Sequence, residues 1–85
     1  MTFKARIHTN LKKSVLDPQG QTTLHALESM GFKEAKSLRI GKYFELVLES
    51  ETRAKAEEMI HVMCDKLLHN PVIEEYSFEV QELPS

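Results

Sequence analysis

Apolar and polar residues alternate along the first ten positions of the chain. One set of alternating positions holds Phe3, Ala5, Ile7 and Thr9. Thr2 and three basic side chains occupy the positions between them. This period of two is the pattern of a β-strand with one buried face and one solvent face. Similar alternations over residues 38–49 and 72–81 predict a middle and a last strand.

The first helix is predicted to begin at Pro18 and to stop at Gly31. Asp17 is a good N-cap, and proline suits the first helical position because its missing N–H has no partner there in any case. Gly31 can adopt the left-handed conformation beyond the helix end, with Phe32 packing on Leu27 in a Schellman ending.

A second helix is predicted from about Thr52 to His69. Its apolar residues recur at helical spacing and form a stripe broad enough to face a sheet: Ala56, Met59, Ile60, Met63, Cys64 and Leu67. Asn70 can take the left-handed conformation after the last turn, and Pro71 cannot continue a helix. The chain then enters the last strand.

The middle strand has two possible forms. Its apolar residues share one parity: Leu38, Ile40, Phe44, Leu46 and Leu48. A two-residue turn at Gly41-Lys42 would put Glu45 on the core face and is excluded. Either one long strand bent at Gly41, or a three-residue loop that pairs Ile40 with Phe44, keeps the apolar residues inside. The bent strand is favoured.

The order strand, helix, long bent strand, helix, strand predicts an α+β fold. We expect a two-layer sandwich, in which both helices cover one face of a small antiparallel sheet. The 85 residues show no repeat or linker-like composition, so residues 1–85 are predicted to form a single domain. A domain of this size holds only about 4 to 13 kcal/mol of stability. Pairing with a second copy would therefore be a large relative gain.

Charge and hydropathy narrow the class of protein. The net charge of −2 offers no attraction to phosphate backbones, so nucleic acid is not an expected partner. Uninterrupted apolar runs are no longer than three residues, too short for a membrane span or a secretory signal. The single cysteine, Cys64, excludes an internal disulfide and fits a reducing compartment. A cytoplasmic protein is expected.

No convincing catalytic or metal-binding constellation is present in the sequence. His61 precedes Cys64 by one helical turn, but Cys64 lies on the apolar stripe and is interpreted as a packed, inert thiol. The four histidines lack paired ligand spacing, and the three glycines do not form a phosphate-binding loop. Gly20 is unusual because glycine disfavours a helix by about 1 kcal/mol relative to alanine, which suggests close approach by another group.

Four ordered segments resemble the PurS family, the small subunit of phosphoribosylformylglycinamidine synthase. They are Val15 to Gly20, Met30-Gly31-Phe32, Leu38 to Leu46 and Asn70 to Glu74. The resemblance covers nearly the whole chain. One departure falls at Lys13-Ser14, where members of that family commonly carry Pro-Gly.

The resemblance implies a subunit without catalysis of its own in a complex of de novo purine biosynthesis. It implies a homodimer or higher assembly that bridges a glutaminase subunit and a large synthetase subunit and supports ammonia transfer between them. ATP and Mg²⁺ would be used by the large partner, with no cofactor in this chain. Candidate subunit contacts, carried over from the matching segments, are Asp17, Pro18, Gln19, Gly20, Arg39, Gly41 and Lys42. The alternative is an ACT-like regulatory module that binds a small molecule.

Overall fold

Three strands form one antiparallel sheet in the order β2-β1-β3. The strands are β1 (Thr2–Leu11), β2 (Gly41–Glu49) and β3 (Glu74–Leu83). Two helices complete the fold: α1 (Pro18–Ser29) and α2 (Arg53–Met63). The structure is a computed structural model, and it describes residues 1–84. The α+β class, the three strands and the two helices are confirmed.

The alternation in the sequence becomes two faces of the sheet. β1 lies in the centre, with Ile7 opposite Phe44 on one side and opposite Phe78 on the other. This apolar face carries the core, whose buried members are Phe3, Ala5, Ile7, Ala56, Ile60, Cys64 and Val80. The other face holds charged and polar pairs such as Arg6 opposite Glu79. The predicted burial of the Phe3 to Ile7 positions is therefore confirmed.

Helix α2 crosses the apolar face because the topology requires it. β2 and β3 run in the same direction on either side of β1, so the chain must return along the whole sheet between them. Thr52 caps α2 by accepting from the N–H of Lys55 at 3.1 Å. A π-helical turn, Cys64–Leu68, extends the helix and closes with the His69 N–H on the Cys64 carbonyl at 3.1 Å. The predicted second helix is confirmed to within a residue or two at each end.

Helix α1 does not cover the sheet, contrary to the prediction that both helices lie on one face. β1 and β2 are antiparallel neighbours, and Asn10 lies opposite Gly41. The connection between them therefore leaves and rejoins the sheet at the same end and need not cross it. No described residue of α1 belongs to the buried core cluster. Residues 12–40, which we call the arm, form a projection at that end.

Several predicted ends differ from the structure. β2 begins at Gly41 rather than at Leu38, so neither the bent strand nor the three-residue loop is correct. Residues 38–40 belong to the arm because the Ile40 N–H donates a hydrogen bond to the side chain of Asp17, which is itself in the arm. The last strand begins at Glu74 rather than at residue 72.

The chain ends α1 as predicted but turns differently after α2. Gly31 has φ of +100°, its N–H donates to the Glu28 carbonyl, and the Phe32 N–H donates to the Leu27 carbonyl, both at 3.0 Å. This is a Schellman ending. Asn70, in contrast, is not left-handed. Its side-chain oxygen instead accepts from the Val72 N–H at 3.0 Å, which makes an Asx-type turn toward β3.

The arm makes the molecule long and flat. Its dimensions are 51 × 29 × 14 Å and its radius of gyration is 16.7 Å, against about 12 Å for a compact chain of this length. No helix within residues 1–84 is long and apolar enough to cross a membrane.

Candidate functional site

The predicted site residues gather where the arm joins the sheet. We call this region the neck and define it as residues 12–20 and 38–42. It contains all seven candidates, although residues 21–37 separate its two segments in the chain. The topology explains the gathering, because both ends of the arm meet at one end of the sheet.

Asp17 is the centre of the neck. Its side chain is only 5% exposed. One carboxylate oxygen accepts the Gly20 N–H at 2.9 Å, which is the predicted helix cap, and the other accepts the Ile40 N–H at 2.8 Å. These bonds, first that from Ile40 and then that from Gly20, lower the pKa of Asp17, and the Arg39 charge adds to the effect. One ionised side chain thus joins the two segments of the neck.

Gly20 is required by contacts inside the chain. A Cβ atom at this position would lie 2.6 Å from the Oδ2 of Asp17 and 2.7 Å from the backbone oxygen of Leu38. Both distances are shorter than any ordinary contact of a side-chain carbon. The group predicted to approach Gly20 is therefore the other segment of the neck, and no partner is needed to explain this glycine.

Arg39 anchors a tight turn. The Val15 N–H donates to the Lys12 carbonyl at 2.9 Å, so Lys13 and Ser14 occupy the centre of a β-turn. The guanidinium of Arg39 donates to the carbonyls of Lys12 and Val15, each at 2.9 Å. Ser14 has a negative φ, which excludes the type II turn that Pro-Gly favours. The turn at Lys13-Ser14 is therefore not of the type that Pro-Gly favours, and Arg39 holds the turn to the opposite segment.

Gly41 and Lys42 link the neck to the sheet. A Cβ on Gly41 would lie 2.7 Å from the Thr9 backbone oxygen, so the close approach is to the neighbouring strand. The ammonium of Lys42 lies 3.7 Å from the Glu74 carboxylate, which places an ion pair across the end of the apolar face. Lys42 remains mostly exposed, and so do Pro18 and Gln19. Among the seven candidates, these three have exposed side chains that do not bridge the two segments of the neck.

The groups that complete the neck were not predicted from the sequence. They include the Ile40 N–H, the Leu38 oxygen and the Ile73 oxygen, which accepts from the Lys12 N–H at 2.8 Å. Backbone atoms carry no residue-type signal. The one sequence signal was Gly20, because a glycine in the first turn of a capped helix indicates that another group lies close to the helix backbone.

The histidine near the cysteine does not form a reactive pair with it. His61 contacts the Tyr76 hydroxyl through Nδ1 at 2.7 Å, and its ring packs against Phe78. Cys64 is fully buried, and burial raises its pKa, which disfavours the reactive thiolate. Among the residues that the structure describes, no three His, Cys, Asp or Glu side chains are placed to hold a metal ion.

The fold and the neck together define a class of protein. It is a small α+β domain with a projecting helical arm, whose two chain segments are joined at the neck by hydrogen bonds of Asp17 and Arg39. A family model described as PurS, phosphoribosylformylglycinamidine (FGAM) synthase, matches residues 4–82. The chain belongs to the PurS family.

Individual relatives agree with this assignment. The chain is 47% identical over 81 residues to the phosphoribosylformylglycinamidine synthase subunit PurS of Bacillus subtilis, covering 95% of each chain. It is similar to a solved structure of B. subtilis PurS, with a TM-score of 0.87 and 48% identity over 94% of this chain and 99% of that one. A chain in the structure of PurLQS from Thermotoga maritima has a TM-score of 0.89 and 36% identity, covering 95% and 99%.

Proposed function

We propose that this chain is the non-catalytic small subunit of a glutamine- and ATP-dependent phosphoribosylformylglycinamidine synthase. In this proposal it acts in de novo purine biosynthesis by pairing with a second copy and joining a glutaminase subunit to a large synthetase subunit. The observation that carries the proposal is the match to PurS over residues 4–82, together with the likeness to a chain of PurLQS from T. maritima. The family assignment gives the alternative, an ACT-like regulatory module, no support.

The shape of the molecule supports a joining role. An arm that projects from a sheet gives two separate surfaces for neighbours, and the 51 Å length keeps those surfaces apart. The arm needs a fixed direction to be useful in this way. The carboxylate of Asp17 and the guanidinium of Arg39 each bridge the two segments of the neck, so three hydrogen bonds join these segments and support the direction of the arm.

The exposure of apolar side chains supports self-pairing. The β2 residues Phe44, Leu46 and Leu48 lie on the apolar face but are only partly buried, because α2 leans toward β3 and α1 lies away from the sheet. Such a half-covered apolar row is stabilised when a second molecule covers it. A homodimer is therefore the proposed unit of assembly.

The proposed division of labour places the chemistry in the partners. ATP and Mg²⁺ belong to the large subunit, and this chain holds no cofactor. Ammonia released from glutamine is small and is readily lost to water, so closely joined subunits would protect its transfer. The complex is proposed to work in the cytoplasm.

Within the neck, the proposed roles of the seven candidates differ. Asp17, Gly20, Arg39 and Gly41 set the direction of the arm, and we propose that Pro18, Gln19 and Lys42 contact a larger subunit directly. Lys42 gives the sharpest test because the chain offers a matched control. Lys55 is also a mostly exposed lysine in an ion pair, with Glu51 at 2.9 Å, and it lies near the other end of the sheet.

The experiment is a pull-down of purified glutaminase and synthetase subunits by the tagged chain, in the presence of glutamine and ATP. Wild type and Lys55→Glu should retain both subunits, whereas Lys42→Glu should lose most of at least one. Sedimentation of each variant alone checks that pairing is unchanged. If wild type retains neither subunit, the proposed function is wrong. If Lys42→Glu retains both as well as Lys55→Glu does, Lys42 is not a contact.

A further inference from the structure

We infer that the neck docks onto an acidic, partly apolar surface of a larger subunit. The docking groups are three cations of the neck, which we call the basic cluster, together with the exposed side chain of Leu16. The basic cluster is Lys12, Lys13 and Arg39. This inference rests on the proposed joining role and specifies the chemistry of the surface that the neck meets. Charge, a fixed backbone and an exposed apolar group lead to it.

Positive charge is concentrated in the neck. Its fourteen residues hold Lys12, Lys13, Arg39 and Lys42 against a single acid, Asp17, so their net charge is +3. The rest of the chain holds seven basic and twelve acidic side chains, a net charge of −5. A molecule with this separation of charge is attracted to an acidic surface through its basic end and repelled through the remainder. The charges therefore orient the encounter so that the neck arrives first.

The acidic side chains in and next to the neck are already engaged. The carboxylate of Asp17 is buried and accepts two backbone N–H groups. Glu74 pairs with Lys42 at 3.7 Å, and Glu75 accepts from the side-chain amide of Asn10 at 3.2 Å. Within residues 1–84, no member of the basic cluster forms an ion pair. Its three charges are therefore left for the carboxylates of a partner.

The backbone that carries the basic cluster is fixed before a partner binds. The Lys12 N–H donates to the Ile73 carbonyl at 2.8 Å, and the Val15 N–H closes the turn on the Lys12 carbonyl at 2.9 Å. The guanidinium of Arg39 donates to the carbonyls of Lys12 and Val15 through one nitrogen, Nη2. Its Nε and Nη1 are not used in these bonds and can donate to a carboxylate while the turn stays closed. Groups that are already placed lose less conformational entropy on binding.

Leu16 favours a protein partner over a small anion. It is 69% exposed, and it lies between the turn and the start of α1. Protein interfaces combine an apolar centre with a polar and charged rim, and an exposed leucine next to cations fits this arrangement. A free phosphate or carboxylate would gain nothing from the leucine. The neck also lies beyond the end of the sheet, so the proposed self-pairing on the apolar row of β2 does not require it. A larger subunit is therefore the proposed occupant.

Carbodiimide cross-linking of the assembled complex identifies the surface that the neck meets. The reagent joins a lysine amine to a carboxylate without a spacer, so a link forms only where the two groups are in contact. With the chain, the glutaminase and the synthetase combined in glutamine and ATP, Lys12 or Lys13 should be linked to an aspartate or glutamate of a larger subunit. Peptide mass spectrometry locates the link. Lys33 and Lys36, exposed lysines of the arm outside the neck, measure the background.

Two matched double variants test the charge. Lys12→Glu with Lys13→Glu reverses two lysines of the neck, and Lys33→Glu with Lys36→Glu makes the same change of net charge outside it. The bonds of the turn use backbone groups of Lys12 rather than its side chain, so the neck variant should fold, which circular dichroism checks.

The two double variants should differ in affinity for the larger subunit. Each reversal replaces an attraction by a repulsion, so Kd at low salt should be at least about tenfold higher for the neck variant than for its control. The difference should nearly disappear near 1 M salt, where the Debye length is about 3 Å. Lys12→Arg with Lys13→Arg keeps both charges and should bind like wild type.

Leu16→Ala tests the apolar part of the surface. Truncating an apolar side chain at the centre of an interface should raise Kd about fivefold or more. Salt does not screen apolar burial as it screens charge, so this factor should persist at high salt. Met30→Ala is the control, because Met30 is 71% exposed and lies in the arm outside the neck.

The outcomes separate this inference from the proposed function. Links from Lys12 or Lys13 to a larger subunit, with a salt-dependent loss of affinity in the neck variant, support it. Equal affinity of the two double variants, or equal effects of Leu16→Ala and Met30→Ala, overturns the docking surface and leaves the joining role intact. Links from the neck to a second copy, with altered sedimentation of the neck variant alone, also overturn it. If wild type binds neither larger subunit, the inference and the proposed function are both wrong.

Discussion

Replacing Gly20 by alanine tests the neck through the sign of a stability change. On an ordinary helix this substitution stabilises by about 1 kcal/mol, because alanine has the higher helix propensity. Here the added Cβ would lie 2.7 Å from the Leu38 oxygen, at least 0.3 Å inside the 3.0 Å that real Cβ atoms essentially never cross. The Asp17 carboxylate, at 2.6 Å, cannot move aside without losing its bonds to Gly20 and Ile40.

Overpacking of this kind costs about 1–3 kcal/mol. Because one of the two clashing groups is backbone and the other is held from two sides, we expect the upper half of that range. Subtracting the propensity gain leaves a net loss of about 1–2 kcal/mol, which lowers Tm by roughly 5–15 °C for a domain of this size. Calorimetry at equal chain concentration measures this, with the exposed Gln21→Ala as control. A Gly20→Ala protein as stable as wild type, or more so, would refute the reasoning.

Two further predictions concern charge and core. Asp17→Asn should be less stable than wild type at pH 7, and the difference between their urea midpoints should vanish in acid. The pKa of Asp17 in the folded protein is lowered from its ordinary value of 3.8, so the ionised carboxylate stabilises the fold at pH values above 3.8. This stabilisation is lost as the pH falls through the pKa of the folded state. A difference that stayed constant down to pH 2 would contradict this. Ile60→Ala, which empties a fully buried position under α2, should cost about 2–5 kcal/mol in chemical denaturation. Met59→Ala, on the exposed flank, should cost much less in the isolated chain, and equal losses would contradict the assigned core.

The local structure of this chain could be predicted from its sequence, but most of its long-range arrangement could not. The cap at Asp17 and the glycine ending at Gly31 depend on residues that are close together in the sequence, and the alternation of β1 is visible in consecutive positions. The structure has each of these features where the sequence predicts it. The position of α1 depends on which ends of the strands meet. That is a property of strand order, which hydrophobic periodicity does not encode.

The neck shows the same division. The resemblance to PurS marked both of its segments and implied that Gly20 and Gly41 contact a partner subunit. In the structure, a Cβ atom at either glycine would clash with backbone atoms of the same chain. The apolar parity of Leu38 and Ile40 also suggested strand. These two residues are instead partly buried within the arm, where the Ile40 N–H donates to the Asp17 carboxylate. A parity pattern cannot distinguish a strand from an extended segment bound to a side chain.

The central claim is that this chain acts by joining larger subunits and carries no reaction itself. The most direct measurement is glutamine-dependent conversion of formylglycinamide ribonucleotide by the purified glutaminase and synthetase subunits, with and without this chain. Activity should rise when the chain is added and saturate at a fixed ratio of subunits, while the chain alone hydrolyses neither glutamine nor ATP. Turnover by the chain alone, or full activity of the two larger subunits without it, would contradict the account.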